Sequence, residues 1–281
     1  MNSKQLYRQL CERLSPVSAD PRLEAGELLK KFCGLRQSQW LWDTAEISGE
    51  QLSSLRQAAE RRLEGYPLQY LLGEWDFYGR TFEVGEGVLI PRADTEILVE
   101  TGLSFLKARE NPVIADLCSG SGCIAVTMAA ECGGATVYAV EKSGDALYYL
   151  RRNAAAYGES VKICQDDVLE SHGEYPDFDL ILSNPPYLTR SDMDALQMEV
   201  RHEPEMALYG DEDGLLFYRE MTRLWKKRIK SGGMLAYEIG LGQEPAVAKI
   251  FTNNCFSHVC FHRDLCGIIR VVSAINNRIT E

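Results

Sequence analysis

Nothing in these 281 residues approaches the roughly twenty consecutive apolar positions that a membrane span requires. The opening segment Met1-Asn2-Ser3-Lys4-Gln5 is polar and lacks the apolar core of a secretory leader, so a cytoplasmic protein without membrane contact is expected. Histidine is scarce, at 4, and the 9 cysteines include no Cys-x-x-Cys pair and no adjoining His cluster. Neither a zinc site nor a disulfide framework is indicated, and reduced thiols are expected. Positive charge is also in deficit: 30 Lys and Arg stand against 41 Asp and Glu, a net charge of −11. That balance disfavours broad contact with a phosphate backbone, so no direct nucleic-acid partner is expected and a protein partner fits better. Internal repeats and low-complexity segments are absent.

The residues that are present suffice for a full α/β core and one small extra domain. From Gln5 to about Tyr70, leucines recur at helical spacing: Leu6, Leu10 and Leu14, then Leu23, Leu28 and Leu29, then Leu52, Leu55 and Leu63. Ser15-Pro16, Asp20-Pro21, Gly34 and Ser48-Gly49-Glu50 punctuate them as turns and caps, which predicts a bundle of about four helices over residues 1–73. Residues 74–90 mix aromatic and β-branched side chains with Gly79, Gly85 and Gly87, as a hairpin linking two domains would. Beyond Pro91, with Asp94 as candidate cap of a helix from Thr95, residues 91–281 alternate helix and strand. Such alternation predicts a doubly wound parallel sheet, and the runs Ser257–Arg263 and Gly267–Ala274 predict a terminal antiparallel hairpin.

Within that frame, Phe178-Asp179-Leu180-Ile181-Leu182-Ser183 reads as a buried strand that ends abruptly at Asn184-Pro185-Pro186-Tyr187. Prolines cannot continue the sheet, so Asn184 falls at the carboxyl end of a strand, the edge at which open α/β sheets bind ligands. The Asn184 amide donates and accepts, while carbonyls after it only accept. Together they match a planar group with an NH2 and a neighbouring acceptor, as in an amide or the amino edge of a base. A plain strand-ending turn would use the same residues.

A second constellation lies upstream, where Asp116-Leu117-Cys118-Ser119-Gly120-Ser121-Gly122 separates a strand from a helix. Gly120 and Gly122 let the backbone approach a ligand, and Glu141, about twenty residues on, is placed to bind ribose hydroxyls. Asp116 repels phosphates but suits a ligand carrying an ammonium and a sulfonium, as S-adenosylmethionine does. Asp167 follows the next strand, where an acid can accept from an adenine amino group.

With these residues together, the chain resembles the HemK/PrmC family of protein glutamine methyltransferases, which modify peptide chain release factors. The likeness rests on Gly65-Tyr66-Pro67-Leu68-Gln69-Tyr70-Leu71-Leu72-Gly73, on Leu89-Ile90-Pro91-Arg92-Ala93-Asp94-Thr95-Glu96, on the Asp116 loop, on Asn184–Tyr187, and on Glu203-Pro204 with Ala207-Leu208. It departs at Ala93, where the family usually has proline, and at Cys118, where glycine is commonest. The resemblance implies a class I S-adenosylmethionine-dependent methyltransferase, a Rossmann-like α/β fold with a helical substrate-docking domain in front. It implies that Asp116, Gly120, Glu141 and Asp167 line the cofactor; Cys118, Ser119, Ser121, Gly122, Val168 and Asn184 complete that candidate set. Asn184 and Pro185 are expected to hold the side chain of the glutamine in a Gly-Gly-Gln motif, with Pro186 and Tyr187 beside them. The implied partner is a release factor, free or ribosome-bound. An adenine or ribosomal RNA amino-group methyltransferase is the alternative, since a base offers Asn184 the same donor pattern. A dinucleotide-dependent oxidoreductase would use Gly120-x-Gly122 but leave Asn184–Tyr187 without a task, and a docking protein without activity would need neither.

Overall fold

A computed structural model describes residues 2–42, 46–158, 160–170 and 173–277. Residues 1 and 43–45 of the expected docking domain, and 159, 171–172 and 278–281 of the expected catalytic domain, lie outside the described residues. The chain forms two compact units: Met1–Glu74 with Gln197–His202, and Trp75–Leu196 with Glu203–Glu281.

The first unit is built from α1 (Ser3–Leu14), α2 (Pro21–Cys33), α3 (Gln37–Trp42), α4 (Gly49–Leu63) and α5 (Leu68–Leu72). Local chemistry sets the ends. Asp20 accepts from Leu23 N at 3.1 Å with Pro21 in the first turn, and Gly34 closes α2 at φ 67°. Ser48 and Gln51 form a reciprocal capping box on α4. Leu14, Leu28, Leu29 and Leu55 are fully buried, each contributing about 1.5–3 kcal/mol by leaving water. The leucine stripe fails at two points. Leu23 is 54% exposed, and on α4 it is Arg62, not Leu63, that is fully buried. Arg62 is admitted because its charge is answered: Nε meets Glu24 at 2.7 Å, Nη2 meets Glu199 at 2.7 Å and also donates to Val17 O.

The boundary between the units falls within β1 (Glu74–Phe77), which with β2 (Arg80–Glu83) forms a hairpin whose Tyr78-Gly79 turn has φ of 50° and 70°, the mirror-image turn that suits strand twist. Phe77 and Phe82 are buried in the core of the second unit, and Asn153 ties the hairpin to it by accepting from Glu83 N and donating to Glu83 O. A 3-10 turn, Ala93–Thr95, precedes α6 (Glu96–Leu106). Asp94 is therefore not the helix cap that its position suggests. The extra turn moves its carboxylate off the helix end, and it pairs with Arg270 at 3.0 Å.

Then follow β3 (Val113–Leu117), α7 (Cys123–Glu131), β4 (Thr136–Glu141), α8 (Gly144–Ala156), β5 (Val161–Gln165), β6 (Phe178–Ser183), α9 (Arg190–Asp194), α10 (Leu216–Trp225), β7 (Ile229–Glu238), α11 (Glu244–Asn253), β8 (Phe256–Arg263) and β9 (Ile269–Asn276). One seven-stranded sheet runs β5-β4-β3-β6-β7-β9-β8. The first five are mutually parallel, while β9 is antiparallel to both β7 and β8. The fold is thus the doubly wound sheet with a terminal hairpin. Period-two alternation divides the core: Leu180 and Leu182 face the cluster containing α6, α7 and α8, whereas Ile181 faces the one containing Tyr218, Trp225 and Phe251. Order reverses between β3 and β6, and the crevice beyond their carboxyl ends is where such sheets take ligands. Among the described residues, no helix is long and apolar enough to cross a membrane.

Candidate active site

A cavity of about 290 Å³ opens at that crevice, wholly within the second unit. Of the residues singled out in the sequence, Cys118, Ser119, Gly120 and Ser121, with Glu141, Asp167 and Val168, line it from β3, β4 and the loop after β5. Asn184 and Pro186 line it from the end of β6. Asp116, Gly122, Pro185 and Tyr187 are not on its wall.

Asp116 points inward, fully buried beneath the loop. Its Oδ2 accepts from Ala125 N at 3.1 Å, taking one of the N–H groups that the first turn of α7 leaves without a helical partner. Among the described residues its Oδ1 has no partner. Burial, with the Glu141 charge nearby, pushes this carboxyl up to about 8. Such a group gains by the arrival of a positive charge.

The two loop glycines do different work. At Gly120, φ is 54° and a Cβ would meet nothing within 4 Å, so the loop presents bare backbone to open space. At Gly122, φ is 81° and a Cβ would lie 2.2 Å from Leu150 Cδ1; here glycine lets α7 pack against α8. Cys118 adopts φ 60°, the left-handed region, which accounts physically for glycine being the common residue in its place. Burial and Glu141 keep its thiol protonated. Ser119 pins the loop, donating from N to Val140 O and from Oγ to Asp116 O, and Ser121 O accepts from Asn153 Nδ2.

Glu141 ends β4 with both oxygens engaged by backbone: Oε2 accepts from Gly120 N at 2.9 Å and Oε1 from Ser143 N at 2.7 Å. Each oxygen keeps a second lone pair for a ligand. Burial raises its pKa against the backbone N–H groups of Ser143, Gly120 and Lys142. Asp167 accepts from Leu169 N at 2.9 Å and pairs with Lys142 at 2.6 Å, and Lys142 shares the cavity wall. Between the acids the wall is apolar, with Ile124, Val140, Val168, Leu169 and Phe217.

At the other end, Asn184 is half-buried, and its Nδ2 donates to Thr95 Oγ1 at 3.2 Å. Pro185 and Pro186 are buried. The chain beyond them is held by backbone: Leu188 N donates to Leu208 O and Gly210 N to Leu188 O. Gly210 permits that approach, since a Cβ would stand 2.7 Å from Pro186 O. Tyr187 O accepts from Gln243 Nε2 at 3.0 Å, so the carbonyl direction after the prolines is fixed from a third element.

Thr95 and Arg92 also line the cavity, yet sequence reasoning did not assign them to the site. Arg92 is ion-paired with the buried Glu203, which also accepts from Ile90 N at 3.0 Å. Their signal was present in the run Leu89–Glu96, which carried a resemblance but no chemistry of its own.

Residues 93–208 match the profile described as methyltransferase small domain, and residues 5–73 match the PrmC N-terminal domain. A release factor glutamine methyltransferase of Geobacter sulfurreducens is 40% identical over 253 residues, covering 89% of this chain and 88% of its own. The chain belongs to the release factor glutamine methyltransferase family. The Bordetella pertussis member is 38% identical over 253 residues, covering 89% of this chain and 93% of its own. Among solved structures, the Thermus thermophilus 16S rRNA N2 G1207 methyltransferase in complex with AdoMet and guanosine superposes with a TM-score of 0.52. It is 20% identical and covers 72% of this chain and 49% of that one, so the likeness is one of fold.

Proposed function

We propose that this family member transfers a methyl group from S-adenosylmethionine to the side-chain amide nitrogen of a glutamine, the one in the Gly-Gly-Gln motif of peptide chain release factors. The observation that carries the reading is the sharing of one cavity by the Gly120 loop, Glu141 and Asp167 with Asn184. The chain's residues suit the cofactor: bare backbone at Gly120, acids with spare lone pairs, an apolar wall for a planar base, and an unpartnered buried oxygen on Asp116. When bound, S-adenosylmethionine supplies an electrophilic methyl on a sulfonium.

An amide nitrogen is a poor nucleophile because its lone pair is delocalised into the carbonyl. In this reading, Asn184 Oδ1 and the Pro185 carbonyl accept the two amide N–H groups, which favours charge developing on nitrogen. The second N–H of Asn184 Nδ2 serves the glutamine carbonyl. Pro186 and Tyr187, anchored through Gly210 and Gln243, hold those acceptors in place, and fixed geometry lowers the barrier by several kcal/mol. Mass spectrometry of a release factor incubated with the enzyme and S-adenosylmethionine tests the reading. One added methyl on the Gly-Gly-Gln glutamine is expected; an unmodified release factor beside methylated RNA would overturn it.

The partner interface falls, in this proposal, on residues 1–73, with 74–90 between docking and catalytic regions and 91–281 carrying the reaction. A glutamine on a loop offers little of the roughly 1,200–2,000 Å² that specific protein pairs bury. The helical unit exposes Trp42 at 76% and Leu23 at 54%, side chains suited to a protein surface. Trp42→Ala should raise KM for intact release factor several-fold and leave a short glutamine peptide unaffected; equal effects on both would contradict docking there. A cytoplasmic enzyme that can also meet ribosome-bound release factor fits this substrate.

A further inference from the structure

The end of β7 holds a carboxylate that the proposed reaction does not use. Glu238 is 3% exposed, and among the described residues its Oε2 has no hydrogen-bond partner. In the β6–β7 register Ser183 pairs with Tyr237, so Glu238 stands beside Asn184 at the same sheet edge. Between them is Thr95, also buried, whose hydroxyl accepts from Asn184 Nδ2 at 3.2 Å and stands near enough to the Glu238 carboxyl to favour its charged form.

We infer that Thr95 and Glu238 form a positioning relay that fixes which way the Asn184 amide faces. The inference rests on the assignment of Asn184 to the glutamine amide made above. Its logic is that of donors and acceptors. A carboxylate only accepts, so the Thr95 hydroxyl proton must point at Glu238. The Thr95 oxygen then has only lone pairs for Asn184, which must turn its NH2 toward Thr95. Oδ1 is left facing the cavity as an acceptor, the orientation needed to receive an amide N–H. A protonated Glu238 donates instead, frees the Thr95 proton to turn toward Asn184, and removes the preference for one amide orientation.

The surroundings place that switch in an accessible range. Arg92 and Asp94 approach Glu238 from the turn before α6, and Arg270 from β9. Tyr187 beyond β6 and Cys123 of α7 also feel its charge, and Tyr218 of α10 donates to its backbone carbonyl at 3.1 Å. Burial dominates over the two arginines and raises the carboxyl to about 7. Deprotonation at higher pH gives the one-directional relay, so turnover should fall as pH drops through that value.

The test is single-turnover methylation of release factor across pH, with cofactor binding measured by calorimetry. Wild type should lose turnover on the acid side of about pH 7. Glu238→Gln, whose amide can both donate and accept, should lower turnover about tenfold to a hundredfold at high pH and abolish the acid limb, with the S-adenosylmethionine Kd within about twofold of wild type. Thr95→Val should behave alike, and Thr95→Ser should recover most of the turnover that valine loses, which keeps the test decisive if Glu238→Gln folds poorly. Wild-type enzyme that leaves the glutamine unmodified would sink the function beneath the relay. An active wild type whose Glu238→Gln and Thr95→Val variants keep its turnover and acid limb would overturn the relay alone, as would parallel losses of turnover and cofactor affinity in both.

Discussion

The two ends of the cavity hold their buried carboxylates by different means. At the ends of β3 and β4, backbone answers them: Gly120 N and Ser143 N donate to Glu141, and Ala125 N donates to Asp116. At the ends of β6 and β7 no backbone donor is aimed at Glu238 among the described residues; the Thr95 hydroxyl stands beside it instead, and its Oε2, like Asp116 Oδ1, is without a partner there. Backbone donors are fixed once a loop takes its shape, and they cannot be reversed. A hydroxyl rotates, so the direction of its bond depends on the protonation of its neighbour. In the proposed function, the donors at the cofactor end therefore keep one direction, whereas the inferred bond at the amide end can reverse with the protonation of Glu238.

Breaking the backbone-held end should show as lost affinity. Glu141→Ala removes an acceptor from the cavity and the anchor of the Gly120 N–H, so S-adenosylmethionine binding should weaken by about 1.5–3 kcal/mol, the scale for bonds to a charged group. Turnover at saturating cofactor should change much less. Calorimetry measures the first and single-turnover kinetics the second; an unchanged Kd would assign Glu141 to the loop alone.

Asp116 sharpens the contrast through pH. A carboxyl ordinarily near 3.8 is held at about 8 in the fold, so the native state binds that proton more tightly than the unfolded chain. Its contribution to stability is complete below the ordinary value and is lost as pH rises toward about 8. A cationic ligand favours the ionised form and offsets that loss. The rise in Tm on adding S-adenosylmethionine should therefore grow between about pH 6 and pH 8.5, and Asp116→Asn should flatten the trend. A gain independent of pH in wild type would show that Asp116 does not sense the ligand's charge.

The smallest effect concerns the turn that carries Thr95. Ala93 opens this 3-10 turn, where the N–H has no helical partner, and Arg92 before it has ψ 141°, the region that proline demands of its predecessor. Ala93→Pro should stabilise the protein by about 0.4–1 kcal/mol in chemical denaturation. Cofactor affinity should not move. Destabilisation would mean that the turn has another geometry.

What could be read in advance followed the same division. The strand ending at Asn184, the glycine loop and the acids after β3, β4 and β5 are local signals, because buried strands and left-handed backbone restrict the residues at the position itself. Cys118 at φ 60° shows the limit: a non-glycine residue hid a conformation that glycine would have announced. Contacts between distant segments left no such mark. Asp94 looked like a cap and instead pairs with Arg270, from the far end of the chain. Arg62 interrupts a leucine stripe because Glu24 and Glu199 meet it from other segments. Glu238 reads in sequence as a lone acid ending a strand, and Thr95 as part of a helix start. Only the sheet order, with β7 beside β6 and the turn before α6 above both, joins them to Asn184.

In the proposed reaction Asn184, although also a candidate for the cofactor set, serves chiefly the glutamine amide. Calorimetric S-adenosylmethionine binding and single-turnover methylation of release factor, measured together on Asn184→Ala, test it most directly. A Kd within about twofold of wild type and a rate lower by about 10²–10³ are expected, the loss typical of removing one group that stabilises developing charge. Affinity and rate falling by the same factor would contradict it.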